Sequence, residues 1–379
     1  MVTDRTNRRE FIEKSLAIGA GLAYGGLAAA DSQTGGNGIK VGVITHEGGA
    51  HLGNYFESLA VCEEVEAVVL ADPSGNSESG AREALGDRLA RVYADREEML
   101  RREKPRMVLV SMEAAVAPPA IDAALDASCH VFAEKPACVS AEDFEKVARK
   151  AKSKNLYLML ALANRRNPPM CETRRIIESG KIGRVYGLEM HFIADQTRLT
   201  RPSYREHWYA QKARAGGGHL TWLGIHWLDL AMYITGSKIR EVTGFAGNVG
   251  GQPLDVEDSA AVTMRFDNGT FGTLTSGYYL DRDKHEHIKI WGSQGWLQID
   301  TKTDLPLKWY STKDTENPKV EYYEGPKVAS AYPLFVNAAV RACAGLEEPP
   351  ITTEESLHVI KTIFAFYKAA ETGRTQRID

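Results

Sequence analysis

The chain has 379 residues, 43% of them hydrophobic and 25% charged, with a formal net charge of −4. That length is more than one core usually serves, so two domains are expected, and the composition is that of an ordinary globular protein. The slight acidity argues against nucleic acid as the main partner, and five cysteines (Cys62, Cys129, Cys138, Cys171 and Cys343) without a CxxC pair give neither a disulfide framework nor a zinc site.

The N-terminus reads as an export signal. Arg8-Arg9 and Phe11 precede a weakly apolar, glycine-rich run that ends in Ala28-Ala29-Ala30. Paired arginines, an apolar run and a small-residue cleavage site in that order point to a twin-arginine-type signal peptide over residues 1–30. The run is short for a membrane span. Residues 31–38 form a polar linker. The expectation is an exported, periplasmic protein with no membrane association once the signal is removed.

Residues 39–44 form a short apolar strand, followed by the turn-like Thr45-His46-Glu47-Gly48-Gly49-Ala50-His51 and a helix to about residue 60. A second strand, 66–72, ends in Asp72. Residues 77–89 are helical in composition, with Gly80 and Gly86 as weak points. A strand over 106–110, a short helix over 118–127 and a strand over 130–133 lead to Glu134-Lys135-Pro136. Ser140, with Asp143 three residues on, caps a helix to about residue 152. Residues 156–163 form a further strand. Strands alternating with helices predict a parallel sheet with helices on both faces. Ligands of such sheets bind at the carboxyl ends of the strands, where Thr45, Asp72, Ser111 and Lys135 stand.

From about residue 184 the pattern turns to β. Segments 185–193, 241–248, 259–266, 270–279, 287–291 and 296–299 alternate or are β-rich, with hairpin turns at Asn268-Gly269 and Gly292-Ser293-Gln294-Gly295. Helices over 332–344 and 354–372 close the chain. The predicted fold is an α/β Rossmann-like N-terminal domain with a parallel sheet (residues 39–163). An α+β C-terminal domain with a large, mostly antiparallel open sheet follows (residues 164–379).

Between the strands lies Gly216-Gly217-Gly218, followed by an apolar run that carries His219, Trp222, His226 and Asp229. Alone, this is a glycine loop leading into a buried helix with satisfied core histidines. Set beside Lys135 at a strand end, it becomes half of a plausible proton-transfer pair.

Six local signals occur together in order. They are Glu134-Lys135-Pro136; Ile177-Glu178-Ser179-Gly180-Lys181-Ile182-Gly183; and Gly216-Gly217-Gly218 with Gly224-Ile225-His226 and Asp229. Asp258-Ser259-Ala260 with Asn268-Gly269, then Gly292-Ser293-Gln294-Gly295, and Ala369-Ala370-Glu371-Thr372-Gly373-Arg374 complete them. From residue 39 to the C-terminus the chain resembles the Gfo/Idh/MocA family of oxidoreductases. The resemblance implies an NAD(P)-dependent enzyme that moves a hydride from a hydroxyl-bearing carbon of a sugar, sugar derivative or polyol. It implies that Lys135 is the central proton-transfer group and that His226 is a second acid/base or a hydroxyl ligand. It implies a cis Lys135–Pro136 bond and cofactor contacts from Thr45, Gly48, Gly49, Asp72, Glu134 and Lys135. Asp72, facing the ribose hydroxyls, favours NAD over NADP. Arg166, His219, Trp222 and Asp229 are the candidates for the substrate side. The open sheet implies a homodimer or homotetramer. Export implies a tightly held cofactor and, with it, a redox-cycled reaction.

Three departures stand out. The family's first turn carries a G-x-G-x-x-G fingerprint, and its glycine places fall here on Thr45, Glu47 and Ala50, with Gly48 and Gly49 in a shifted register. A Glu47 carboxylate beside a diphosphate would repel it. Met112-Glu113-Ala114-Ala115-Val116-Ala117 replaces a Thr-Pro-Asn-x-x-His run and adds another carboxylate. Trp222 replaces the aspartate four residues before the histidine, and fits stacking on a sugar ring and core packing equally well. His285 and His287 share a strand face, but a single H-x-H reads as a surface feature and no metal site is expected. These departures keep two alternatives open: a nucleotide-free carbohydrate lyase or hydrolase, and a non-catalytic sugar-binding protein on the same fold.

Overall fold

The computed structural model describes residues 38–280 and 282–379, so the expected signal peptide and nearly all of the expected linker lie outside the described residues. The first domain alternates strands and helices: β1 (Ile39–Thr45), α1 (Leu52–Val61), β2 (Val65–Ala71), α2 (Glu78–Leu85), β3 (Leu89–Tyr93), α3 (Arg96–Glu103), β4 (Met107–Ser111), α4 (Ala117–Asp126), β5 (His130–Ala133), α5 (Ala141–Ser153) and β6 (Leu158–Leu160). The strands pair in parallel in the order β3-β2-β1-β4-β5-β6. Val41, Val43 and Ile44 of β1 and every residue of β4 and β5 are buried, because helices cover both faces of the sheet.

The predicted helix over 77–89 is shorter than expected. It stops at Leu85, where Gly86 takes φ 55°, and residues 89–93 become the edge strand β3. The sequence pattern missed α3 as well, although Asp95 caps it by accepting from the Glu98 N–H at 2.6 Å.

The second domain begins with α6 (Pro168–Glu178) and the long strand β7 (Val185–Asp195), then continues through α7 (Ile225–Thr235), β8 (Ile239–Gly247), β9 (Ser259–Phe266), β10 (Phe271–Leu280), β11 (His285–Gly292), β12 (Gly295–Asp300), β13 (Leu307–Ser311) and β14 (Val320–Tyr322). Two helices, α8 (Tyr332–Cys343) and α9 (Thr353–Thr372), and a short β15 (Gln376–Arg377) end the chain. The sheet runs β14-β13-β12-β11-β7-β10-β9-β8-β15, with β7 and β10 parallel and its other pairs antiparallel. Burial alternates cleanly along β9, with Val262, Met264 and Phe266 inward, so one face packs on helices and the other is open.

The closing helices tie this sheet to the first domain. β6 is an edge strand, and its Leu158 and Leu160 N–H groups donate to Thr353 Oγ1 (2.9 Å) and Ser356 Oγ (3.2 Å) at the start of α9. Arg165, just after β6, forks onto Asp229 of α7 at 2.6–2.9 Å and reaches Glu355 of α9 at 2.8 Å. This is a correction to the reading of Asp229 as a substrate residue: its buried carboxylate is taken up by Arg165. Breaking such a pair leaves a buried cation short of its partner. Asp229→Ala should therefore lower the unfolding free energy by about 3 kcal/mol, measured by urea titration. A loss below about 1 kcal/mol would mean that the pair acts like an exposed salt bridge.

Candidate functional site

The turn after β1 is organised by Thr45. Its buried hydroxyl donates to the Ser111 carbonyl at 2.8 Å and links the ends of β1 and β4. Gly49 folds directly over it, and a Cβ there would lie 2.1 Å from Thr45 Oγ1, so only glycine fits. Glu47 points outward and is exposed. α1 then starts at His51, with no side-chain cap and no acidic residue in its first turn. Its first N–H groups have no partner within the helix. Together with the close-packed Gly48-Gly49 turn, they make a cradle suited to a diphosphate. Asp72 is buried at the end of β2. Burial opposes its charge, but hydrogen bonds from Ser74 and Ser77 hold its carboxyl below the ordinary range. The Glu113 carboxylate is neutralised by Arg214, whose Nε donates to it at 3.0 Å. The residues present therefore fit a nicotinamide dinucleotide. Both worrying carboxylates are accounted for, one turned to solvent and one paired.

Lys135 lies at the end of β5, after which the Lys135–Pro136 bond is cis. Its side chain is 1% exposed. The ammonium donates to the Trp222 carbonyl at 2.5 Å and sits 3.4 Å from the centre of the Trp222 ring. Glu134 is buried beside it, with its Oε1 3.9 Å away. Burial pushes Lys135 down to about 8, an effect that the Glu134 charge opposes and the Lys284 charge reinforces. Glu134 also accepts from the Tyr55 hydroxyl. His51 Nδ1 stands 3.2 Å from Glu134 Oε1 but off the line of a hydrogen bond, so both atoms remain without a hydrogen-bond partner.

The glycine-led segment brings the second half. Gly216 takes φ 80°, and Gly218 packs so closely on the Glu257 backbone that a Cβ would lie 1.9 Å from the Glu257 carbonyl. Glu257 in turn accepts from the Gly218 and Leu220 N–H groups, at 2.6 and 3.0 Å, and so caps the helix. Residues Leu220–Gly224 wind as a wide π turn before α7, a feature common at functional sites. That turn presents Trp222 to Lys135. His226 follows with its Nδ1 sealed and unpartnered. Burial first, then the nearby Lys135, His51 and Lys284, drive His226 well below the usual imidazole range, so it is neutral.

Trp222 is the hub of an aromatic group. His51 stacks at 5.6 Å, Tyr209 at 5.1 Å, and Trp208 meets it edge-on at 5.2 Å. Trp208 also donates its indole N–H to the Gly48 carbonyl at 2.9 Å, so a segment of the second domain rests on the nucleotide turn. Of the two readings of Trp222, its ring is shared between Lys135 and its aromatic neighbours.

The other predicted substrate residues fall elsewhere. Arg166 is a correction: it lies partly exposed and pairs with Glu347 at 3.0 Å, because the chain turns Arg165 rather than Arg166 inward. His219 is fully buried. Its Nδ1 bonds Ser276 Oγ at 2.7 Å and its Nε2 has no partner. His285 and His287 do share a face and are joined there by His191, with ring centres 5.8–6.3 Å apart. Among the described residues no group of three donors stands ready to hold a metal.

Sequence reasoning missed His51, Tyr55, Tyr209 and Tyr332. His51 was the legible one, a histidine directly before the first helix. Tyr332, 5.5 Å from both the His51 and Tyr55 rings, comes from the start of α8 and carries no local signal.

The Glu134 charge is what opposes the desolvation of Lys135. Glu134→Gln should therefore shift the Lys135 titration from near about 8 to lower pH, followed by NMR of lysine-labelled protein. An unchanged midpoint would show that another group supplies that charge.

Two family models match the chain. Residues 39–162 match the oxidoreductase family with an NAD-binding Rossmann fold, and residues 170–298 match the GFO/IDH/MocA C-terminal domain. Myo-inositol 2-dehydrogenase of Thermotoga maritima is 22% identical over 353 residues, covering 90% of this chain and 99% of that protein. Levoglucosan dehydrogenase of Pseudarthrobacter phenanthrenivorans is 27% identical over 230 residues, 54% of this chain and 58% of that enzyme. Among solved structures, an oxidoreductase domain protein from Kribbella flavida superposes with a TM-score of 0.79 at 22% identity, covering 90% of this chain and all of that one. Levoglucosan dehydrogenase in complex with NADH and L-sorbose superposes with a TM-score of 0.78 at 19% identity over 90% of this chain and 99% of that one, a likeness of fold. With both domains matched in order, the chain belongs to the Gfo/Idh/MocA family of NAD(P)-dependent oxidoreductases.

Proposed function

We propose that the chain oxidises a hydroxyl group of a sugar or polyol with NAD, and that Lys135 moves the hydroxyl proton. The observation that carries this reading is a lysine buried at the carboxyl end of β5, brought down to about 8 and set beside a neutral histidine. The names of its relatives, a myo-inositol and a levoglucosan dehydrogenase, support the substrate class. The Gly48-Gly49 turn, the start of α1 and Asp72 would hold the dinucleotide, with the Asp72 carboxylate disfavouring an extra ribose phosphate. Bound there, the nicotinamide supplies the hydride acceptor.

The amine of Lys135 takes the hydroxyl proton as the carbon loses its hydride, which avoids a protonated ketone. A lysine near about 8 is neutral in a useful fraction at mildly alkaline pH, whereas an ordinary lysine is not. The Trp222 carbonyl and ring then stabilise the ammonium so formed, by a hydrogen bond and by cation–π attraction. This is the role that an aspartate at position 222 would otherwise fill. Neutral His226 hydrogen-bonds the reacting hydroxyl and orients it. The nucleotide-free alternative drew on the altered glycine loop, Glu47 and Glu113; of these carboxylates, Glu47 is exposed to solvent and Glu113 is paired with Arg214.

The Arg8-Arg9 signal supports a periplasmic site of action, and scarce free dinucleotide there supports a tightly retained cofactor and a redox-cycled reaction. Phe245, 82% exposed, and Phe271 and Trp291, also exposed, stand on the open sheet and support a homodimer or homotetramer.

Purified protein denatured and assayed for nicotinamide dinucleotide should release it in near-stoichiometric amount, or titrate with NAD in calorimetry. Lys135→Met should keep that binding and lower NAD-dependent oxidation, across a panel of hexoses and inositols, by roughly 10²- to 10⁴-fold. No bound or titratable nucleotide would overturn the proposal.

A further inference from the structure

The ring contacts around Trp222 do not stop at Lys135. Tyr209, on one side of Trp222, lies 4.8 Å from Tyr204, and the Tyr204 and Tyr278 hydroxyls are 2.8 Å apart. Tyr278 meets His219 edge-on at 4.4 Å, and His219 meets Phe192 at 5.5 Å. A chain of ring contacts thus runs from Lys135 to the strand ends of the second sheet, half-buried at Trp222, Tyr209 and Tyr204 and buried at Tyr278, His219 and Phe192. There the parallel strands β7 and β10 end and β11 begins, with Ile193 paired to both Gly277 and His285.

Two cations stand at that far end. The Arg198 guanidinium lies 5.3 Å from the Tyr278 ring centre, and the Lys284 ammonium 5.8 Å from that of Phe192. Both are half-buried. Each has one acid near it among the described residues, and neither acid is bound tightly to its cation: Asp195 feels the Arg198 charge without a direct ion pair. The nearest carboxylate partner of Lys284 is Glu286, at 3.9 Å. Asp195, the acid at the end of β7, is engaged by the Thr197 N–H and hydroxyl and by the Arg282 N–H. Glu257 is turned to the helix it caps and to Tyr367. His219, between the two cations, is fully buried, and its Nε2 lacks a partner. Burial, Arg198 and Lys284 together push it down to about 3, so it adds no charge but remains a hydrogen-bonding group.

Two cations beside aromatic rings, met among the described residues only by Glu286 at 3.9 Å and by an Asp195 already engaged by Thr197 and Arg282, select an anion that also presents an apolar face. We propose that the substrate is a sugar acid, with its pyranose face on the half-buried rings of Trp222, Tyr209 and Tyr204 and its carboxylate bound by Arg198 and Lys284. This deepens the reading of the Lys135 site as a sugar site and rests on it. A guanidinium pairs a carboxylate through two parallel N–H donors, which fixes the sugar's orientation as well as its charge. The hydroxyl presented to Lys135 then lies at the end of the ring remote from the acid.

The test is calorimetric titration of the native protein with matched pairs: glucuronic acid against glucose, galacturonic acid against galactose, and glucose 6-sulfate as a second anion. At least one acid should bind about tenfold or more tighter than its neutral partner, the scale of one charge-assisted hydrogen bond. Arg198→Ala and Lys284→Ala should each erase most of that preference, and Arg198→Lys should restore part of it. Equal or weaker binding of every acid, a gain for the sulfate alone, or a preference that survives both alanine variants would overturn the proposal. Bound nucleotide, measured on the same preparations, separates the two claims. Retained dinucleotide without acid preference sinks only the sugar-acid assignment, and acid preference without dinucleotide sinks only the oxidoreductase reading.

Discussion

A lysine ammonium removed from water needs partners for its charge, and the geometry around Lys135 follows from meeting that need. The Trp222 carbonyl takes a proton donor from one side, the Trp222 ring offers its negative face, and Glu134 lies beneath. Each of these comes from a different constraint. Glu134 is next in the chain. Trp222 is delivered by a wide helical turn that begins only after three glycines have passed close to the Glu257 backbone and the Tyr367 hydroxyl. The result is a lysine whose charged and neutral forms are close in free energy, the condition that proton transfer near neutral pH requires.

The surroundings of that lysine are held by contacts between the domains. Arg165 leaves the last strand of the first sheet and locks onto α7 and α9 of the second domain. Trp208 reaches from the second domain to the turn after β1, and Arg214 from the same segment reaches the end of β4. The nucleotide turn, the lysine and the aromatic group around Trp222 are thereby fixed to one another. A buried ion pair is a weak source of net stability but a strict one of geometry, since either partner alone is costly.

The departures from the family pattern make sense as exchanges rather than losses. Where an aspartate would pair the lysine, an indole and a backbone carbonyl hold it. Where the turn has lost its three fingerprint glycines, Thr45 braces β1 against β4 and Gly49 closes over its hydroxyl. Where Glu113 adds a negative charge near the cofactor cradle, Arg214 cancels it from a segment a hundred residues away in sequence. Carbonyls and aromatic faces attract an ammonium without carrying a full charge, so a lysine held by them stays easier to deprotonate than one salt-bridged to an aspartate.

The sequence by itself determined the broad architecture. Alternating apolar strands and amphipathic helices, then β-rich segments with an Asn268-Gly269 hairpin, are local patterns that periodicity and turn chemistry expose. Lys135 and His226 were legible too, because a strand end and a glycine-led helix place them by short-range rules. The edge strands β3 and β14 and the short β13 beside β14 were not, since a strand at or near an edge is half exposed and loses the apolar run that marks a central one. Nor could the sequence show that Glu47 faces solvent, that Arg165 rather than Arg166 turns inward, or that Asp229 is a strut. Those outcomes depend on which distant side chain arrives to satisfy a buried charge or donor, and only the packing of the two domains decides that.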